Sequence, residues 1–225
     1  MTGTGGSASR IEAAGLTVSV AGWTLPAIDL EVRSGELVAI AGPAGSGKST
    51  LVHLLAGWIP PTGGRIGWPG APATPPPWSH LTVVPQALAL LDELTVGENV
   101  GFAARASGAQ QDDHAVEDLL DRLDLTRLRH RNVEEISIGE RQRVMVVRAL
   151  AGRPLVVLAD EPVAHQDERR GRTIIDLLVE AAAAGAACVV ATREPAIAAR
   201  ADRVITLRPV SSGPAGRIGS GEGAE

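Results

Sequence analysis

The chain of 225 residues contains no tyrosine, one phenylalanine, one cysteine and one lysine. Each scarcity excludes something. With four tryptophans and one phenylalanine as its only aromatics, the chain cannot assemble the stacking platforms on which single-stranded nucleic acids lie. A net charge of −5 also lacks the basic footprint of a nucleic-acid binder, so no nucleic-acid partner is expected. A lone cysteine makes no disulfide framework. Cys188 sits in the apolar run 186–190 and reads as a buried, inert thiol, which suits a reducing cytosol. No uninterrupted apolar run approaches about 18 residues, so nothing here is expected to span a bilayer. The opening MTGTGGSAS has no apolar stretch of the signal-peptide kind.

Lysine is the most informative scarcity. Of 21 lysines and arginines, all but Lys48 are arginine. Lys48 lies in GPAGSGKST, residues 42–50, which fits the phosphate-binding pattern G-x-x-x-x-G-K-[ST] through Gly42, Gly47, Lys48 and Ser49. An ammonium is a compact point charge, whereas a guanidinium is a wide planar fork. A loop that wraps backbone N–H groups around phosphates has room for the first and little for the second. Gly42, Pro43, Ala44, Gly45, Ser46, Gly47, Lys48, Ser49 and Thr50 are therefore the expected nucleoside triphosphate cradle.

The surrounding pattern places that loop. The run 37–41 reads as a buried strand entering it, and a helix is expected from Lys48 to about Ala56, stopped by Gly57. Residues 16–20 and 28–33 read as an antiparallel pair. Further short strands are expected at 65–68, 81–84, 155–159, 188–192 and 204–207, with helices at about 169–184 and 195–201. This alternation argues a parallel sheet covered by helices. The stretch from about 96 to 150 is helical and interrupts it, so it reads as an inserted subdomain. Residues 1–10 and 209–225, rich in Gly and Ser, are expected to be disordered tails around one domain of 11–208. PGAPATPPPW reads as a stiff surface loop.

Two more constellations carry chemistry. LVVLADE, residues 155–161, delivers Asp160 and Glu161 to the carboxyl edge of the sheet, where ligands sit in open α/β folds. Asp160, with the Ser49 hydroxyl, is the expected holder of Mg²⁺, and Glu161 the expected general base. ISIGERQR, residues 136–143, reads as a capping box, with Ser137 at the N-cap and Glu140 three residues on. A capped helix start with Gly139 exposed is also an anion site.

GPAGSGKST, then Gln86, then ISIGERQR, then LVVLADEP, in this order, resembles the ATP-binding subunit of an ABC transporter over roughly residues 11–208. SIGERQR, ADEP and LLDELTVGENV are most similar to the lipoprotein-release and macrolide-export branch. The resemblance implies a P-loop NTPase core of α/β class, with an antiparallel β subdomain and a helical subdomain at about 87–150. It implies ATP and Mg²⁺ as cofactors. Two such subunits, alike or different, would close head-to-tail, each ATP lying between one phosphate loop and the other's Ser137–Gly139 segment. A membrane permease subunit would be the further partner, with the chain peripheral on the cytoplasmic face. Gln86 matches the glutamine that senses Mg²⁺ and the γ-phosphate, and Asp167 the aspartate that crosses the dimer. Residues 87–96, with Leu88, Leu90, Leu91 and Leu94, would face the permease or fill the helical core. The implied activity is ATP hydrolysis coupled to transport. The alternative is a regulatory module with little hydrolysis, acting in a hetero-dimer.

The pattern breaks in four places. Ile138 stands where the family has a glycine. Arg193 stands in the switch-histidine position, where it pairs with phosphate but cannot act as a neutral imidazole. His165 and Gln166 are unusual before Asp167. Val20 falls where an adenine-stacking tyrosine is expected, with Trp23 nearby as a substitute. Lys48, Ser49, Gln86, Asp160 and Glu161 are all present. The expectation is a subunit that binds ATP well and hydrolyses it slowly alone. The other histidines (His53, His80, His114, His130) show no ligand spacing and read as solvated or locally bonded, and the arginine-rich run 127–131 reads as a solvated face.

Overall fold

The computed structural model describes residues 8–20, 23–106 and 113–208, apart from the side chains of residues 103, 104 and 106. Of the expected tails at 1–10 and 209–225, residues 1–7 and 209–225 lie outside these residues.

The first sheet is antiparallel. Strand β1 (Ser9–Val20) lies between β2 (Trp23–Arg33) and β4 (Gly63–Gly67). It starts two residues before the expected domain boundary. Ser9 pairs with Arg33, and the Ala8 carbonyl accepts from Ser34 N at 2.8 Å, so the ladder's hydrogen bonds hold that end. A bulge between Ala14 and Thr17 lets β4 cross closely there, with Gly15 and Gly64 both at positive φ.

The second sheet is parallel, in the order β5-β6-β7-β3-β8. Its members are β3 (Leu37–Ala41), β5 (Leu81–Val84), β6 (Val156–Asp160), β7 (Ala187–Thr192) and β8 (Arg203–Thr206). The runs 37–41 and 81–84 are strands with the expected bounds, and the other three of this sheet shift by a single residue. The central strands are mostly apolar because both faces are covered, whereas the edge strand β8 is largely exposed and carries Arg203 and Thr206. Period-2 alternation then sorts them. Leu37, Ala39, Val157, Ala159, Cys188 and Val190 face α4 (Ile138–Ala151) and α5 (Glu168–Ala183). Val38, Ile40, Val156, Leu158, Val189 and Ala191 face α1 (Lys48–Leu55) and the antiparallel sheet. Cys188 is fully buried, and burial pushes its thiol pKa up to about 12, as an inert cysteine requires.

Helices α2 (Val96–Ala106), α3 (Asp113–Arg122) and α4 come between β5 and β6 in the chain, with short 3-10 turns at Thr126–Leu128 and Val133–Glu135. The segment 87–95 is not helical, and its leucines divide: Leu88 and Leu91 are exposed, whereas Leu90 packs on the core. Helix α6 is shorter than expected, Pro195–Ala198, with Glu194 capping it through the Ala196 N–H. The arginine run is mostly exposed, and Arg129 pairs with Glu117 at 2.9 Å. His80 departs from the solvated expectation. It is buried at the entrance to β5, where its carbonyl accepts from Val156 N, and burial together with nearby Arg10 lowers its pKa.

The β1–β4 crossing is the tightest backbone contact of the antiparallel sheet. A Cβ on Gly64 would lie 2.1 Å from the Gly15 oxygen, at a φ of +75° that L side chains rarely adopt. Gly64→Ala is therefore expected to destabilise the fold by roughly 3 kcal/mol. The check is the urea midpoint of the variant against the parent.

Candidate functional site

Parallel strands discharge their carboxyl ends at one edge, and the order β5-β6-β7-β3 sets four such ends side by side. From β3 comes the phosphate loop, from β6 Asp160 and Glu161, from β7 Thr192 and Arg193, and from β5, after Pro85, an exposed Gln86. Residues far apart in sequence become neighbours because the register fixes them: Ala159 pairs with Val190, and Ile40 with Ala191.

The loop is built for close approach. Gly47 precedes α1 at φ +92°, and a Cβ there would press on Trp23 and Leu25 at 2.7–3.0 Å. Trp23 thus lies beside the phosphate loop, while Val20 is 59% exposed. Pro43, Ala44 and Gly45 face outward, Ser46 is buried, and Gly42, Ser49 and Thr50 are half-buried. Lys48 is only 7% exposed. Its Nζ donates to the Gly42 carbonyl at 2.9 Å and the Pro43 carbonyl at 3.1 Å, and lies 4.0 Å from Glu161 Oε1.

Asp160 is 1% exposed, and neither of its oxygens has a hydrogen-bond partner. Burial raises its pKa. The Ser49 hydroxyl faces it and draws the pKa part of the way back without reaching bonding geometry, and the neighbouring Glu161 charge adds to the rise. A buried carboxylate with two orphaned oxygens next to a hydroxyl is the oxygen donor set that a hard divalent cation such as Mg²⁺ prefers.

Glu161 holds a strained backbone at φ +48°, fixed by its N–H donating to the Ala191 carbonyl at 2.8 Å. Arg193 grips its side chain twice: the guanidinium Nε donates to Oε1 at 3.1 Å, and the backbone N–H to Oε2 at 3.3 Å. The pairing of the switch-position arginine with the acidic residue was not visible in sequence. Their 32-residue separation closes only through the β6–β7 register.

Ser137 and Gly139 do not join this edge. They open α4, where the capping box is present in full: Glu140 N donates to Ser137 Oγ, and Ser137 N donates to the Glu140 carboxylate at 2.8 Å. Gly139 is half-buried rather than exposed, because Gln166 lies over it. Gln166 Nε2 donates to the Gly139 carbonyl at 2.9 Å, and its Oε1 accepts from Arg143 at 3.1 Å. His165 beside it adopts a positive φ of 61°. Asp167 caps α5 through the Arg170 N–H and pairs with the Arg170 side chain, which lowers its pKa. Ile138 projects outward, 56% exposed. One chain therefore presents two separate surfaces, a phosphate edge and a helix start.

The ABC transporter family model matches residues 25–164. The chain belongs to the ABC transporter family. It is 37% identical over 195 residues to the lipoprotein-releasing system ATP-binding protein LolD of Paramagnetospirillum magneticum, covering 81% of this chain and 86% of that protein. It is 38% identical over 202 residues to the phosphonates import ATP-binding protein PhnC of Hyphomonas neptunium, covering 82% and 77%. Its fold is similar to the ATP-binding cassette MJ0796, a dimer in a post-hydrolysis state bound to ADP and Pi. The TM-score is 0.78, with 26% identity over 88% of this chain and 94% of that one. The chain is thus an ATP-binding subunit of this family and an ATPase, and similarity to several LolD proteins supports the lipoprotein-release branch.

Removing the Ser137 hydroxyl breaks the reciprocal cap. Ser137→Ala is expected to cost about 1 kcal/mol, read as a lower denaturation midpoint with unchanged slope.

Proposed function

We propose that the chain is the engine subunit of a membrane transporter: a single ATP-binding domain of residues 11–208, with residues 87–150 as its helical subdomain. The observation that carries the reading is the gathering of Lys48, Asp160, Glu161, Arg193 and Gln86 at one sheet edge. The N–H groups of residues 42–50 and the start of α1 bind the triphosphate, with the Lys48 ammonium set against its terminal phosphates. Ser49, Asp160 and Gln86 hold Mg²⁺, which spreads the phosphate charge when bound. Glu161 takes the proton of the attacking water, its carboxylate oriented by Arg193. Arg193 also offers its cationic fork to the γ-phosphate.

A second ATP-binding subunit, alike or different, completes the site by bringing its own helix start to the phosphate edge. The separation of the two surfaces within one chain supports that arrangement, as does the dimer of the similar cassette. Coupling runs to a membrane permease, with this subunit peripheral on the cytoplasmic side. Among the described residues no helix is long and apolar enough to cross a membrane, so a separate spanning partner supplies the passage.

An exposed isoleucine at the helix start and an arginine at the switch favour holding ATP over turning it over. A β-branched side chain at position 138 hinders close approach of the opposing phosphate. Lys48→Ala is expected to weaken ATP binding at least about 100-fold, measurable by titration calorimetry. The pair Ile138→Gly and Arg193→His should raise turnover several-fold at nearly unchanged ATP affinity. Equal turnover in parent and variant would refute the slow-engine reading.

A further inference from the structure

A cavity of about 600 Å³ lies at the opposite end of the parallel strands from the phosphate loop. Val157 enters its wall from the start of β6, and Ala186 from just before β7. Leu119 of α3, Leu150 of α4, and Leu177 and Ala181 of α5 complete the apolar part. Val157 is fully buried, and Leu150, Leu177 and Ala186 nearly so. No aromatic ring takes part in the wall. The size falls within the range of small-molecule sites, about 300–1,000 Å³.

Arg10, Arg122, Arg153, Asp118 and Glu180 border the cavity. Most of this charge is matched. Arg122 of α3 forms a two-pronged pair with Glu180 of α5 at 2.6 and 2.7 Å, and Asp118 lies 3.9 Å from the same guanidinium. Arg153 is engaged as well. Arg10 is the exception. It is half-buried in β1, and its Nε is shut off from water without a hydrogen-bond partner. No described carboxylate pairs with its guanidinium. His80, whose pKa the Arg10 charge helps to lower, offers no relief, since its own Nε2 is buried and unpartnered. A desolvated N–H of a cation with no acceptor is an unfinished contact.

We propose that this cavity binds an acyl carboxylate: its aliphatic chain lies along the leucine, valine and alanine wall, and Arg10 receives its carboxylate. A carboxylate matches the planar fork of a guanidinium with two parallel hydrogen bonds. One uncompensated cation calls for one negative charge. A phosphate dianion would bring surplus charge beside Asp118 and Glu180. An uncharged apolar ligand would fill the wall and leave Arg10 unmatched. A flat ring would find no aromatic partner to meet edge-on or stacked. The wall draws on α3 of the helical insertion and on β6 and α5 of the sheet core, so the bound chain braces one against the other. The site shares no residue with the phosphate edge, and its occupant binds with or without a nucleotide.

The test is a calorimetric titration of the full chain with octanoate, kept below the concentration at which it forms micelles. One site per chain is expected, together with a raised melting temperature. Octanol carries the same chain without the charge, and inorganic phosphate the charge without the chain; each should bind at least tenfold more weakly. Arg10→Gln should weaken octanoate at least tenfold while ATP affinity stays within twofold. Its melting temperature should not fall, because the guanidinium gives up no described hydrogen bond or ion pair. Ala181→Phe, which fills the cavity from α5, should abolish octanoate binding in a chain that still binds ATP. Undiminished octanoate binding by either folded variant overturns the proposal. So does equal affinity for octanol, which means apolar adsorption only, or equal affinity for phosphate, which means a plain anion site. The absence of any saturable octanoate binding overturns it outright.

Discussion

Lys48 Nζ lies between two carbonyl oxygens of its own loop and a carboxylate oxygen 4.0 Å away on the neighbouring β6, and the rest of the site is arranged around that ion. The loop can hold it only because Gly42 and Gly47 turn where side chains would collide. The carboxylate can face it only because Glu161 accepts a strained φ that the Ala191 carbonyl pins. Arg193 then takes the other side of the same carboxylate. Two cations around one acid make a compact charge cluster at the end of an otherwise apolar sheet. The orphaned Asp160 oxygens lie next to it, in position for a further cation.

A second tier of polar contacts governs the helix start. The capping box orders the backbone of α4, and Gln166 ties the Gly139 carbonyl to the turn that leads into α5. The turn that follows Glu161 and the start of α4 are therefore joined by a direct hydrogen bond. At the far end of α4 lies an aromatic groove around Arg148. A single 14-residue helix runs between the two surfaces.

Much of this was legible in the sequence, for identifiable reasons. The phosphate loop announces itself because phosphate binding needs glycine and lysine at fixed spacing. The strands 37–41 and 81–84 announce themselves because parallel strands buried on both faces are mostly apolar. The capping box is a four-residue local device, so Ser137 and Glu140 were enough to place it. His80 was misread because its burial comes from elements distant in the chain. Gly139 was misread because Gln166, 27 residues on, folds over it. The leucines of 87–95 divided because the segment takes no regular structure and offers no period by which to sort them. Arg148 does carry one local signal, a charge in the middle of VMVVRAL.

By itself, then, the sequence determined the local patterns: a glycine-rich loop with the lone lysine at residues 42–50, an acid pair at 160–161, and a covered parallel sheet to carry them. Those features rest on local spacing and on residue type, which a chain states directly. The tertiary structure alone decided the partnerships. It set Arg193 on Glu161, Gln166 on Gly139 and Trp78 over Arg148, since each pair is separated by more than 25 residues. Such contacts depend on strand register and on helix packing across the whole core, and no short window of sequence contains that information.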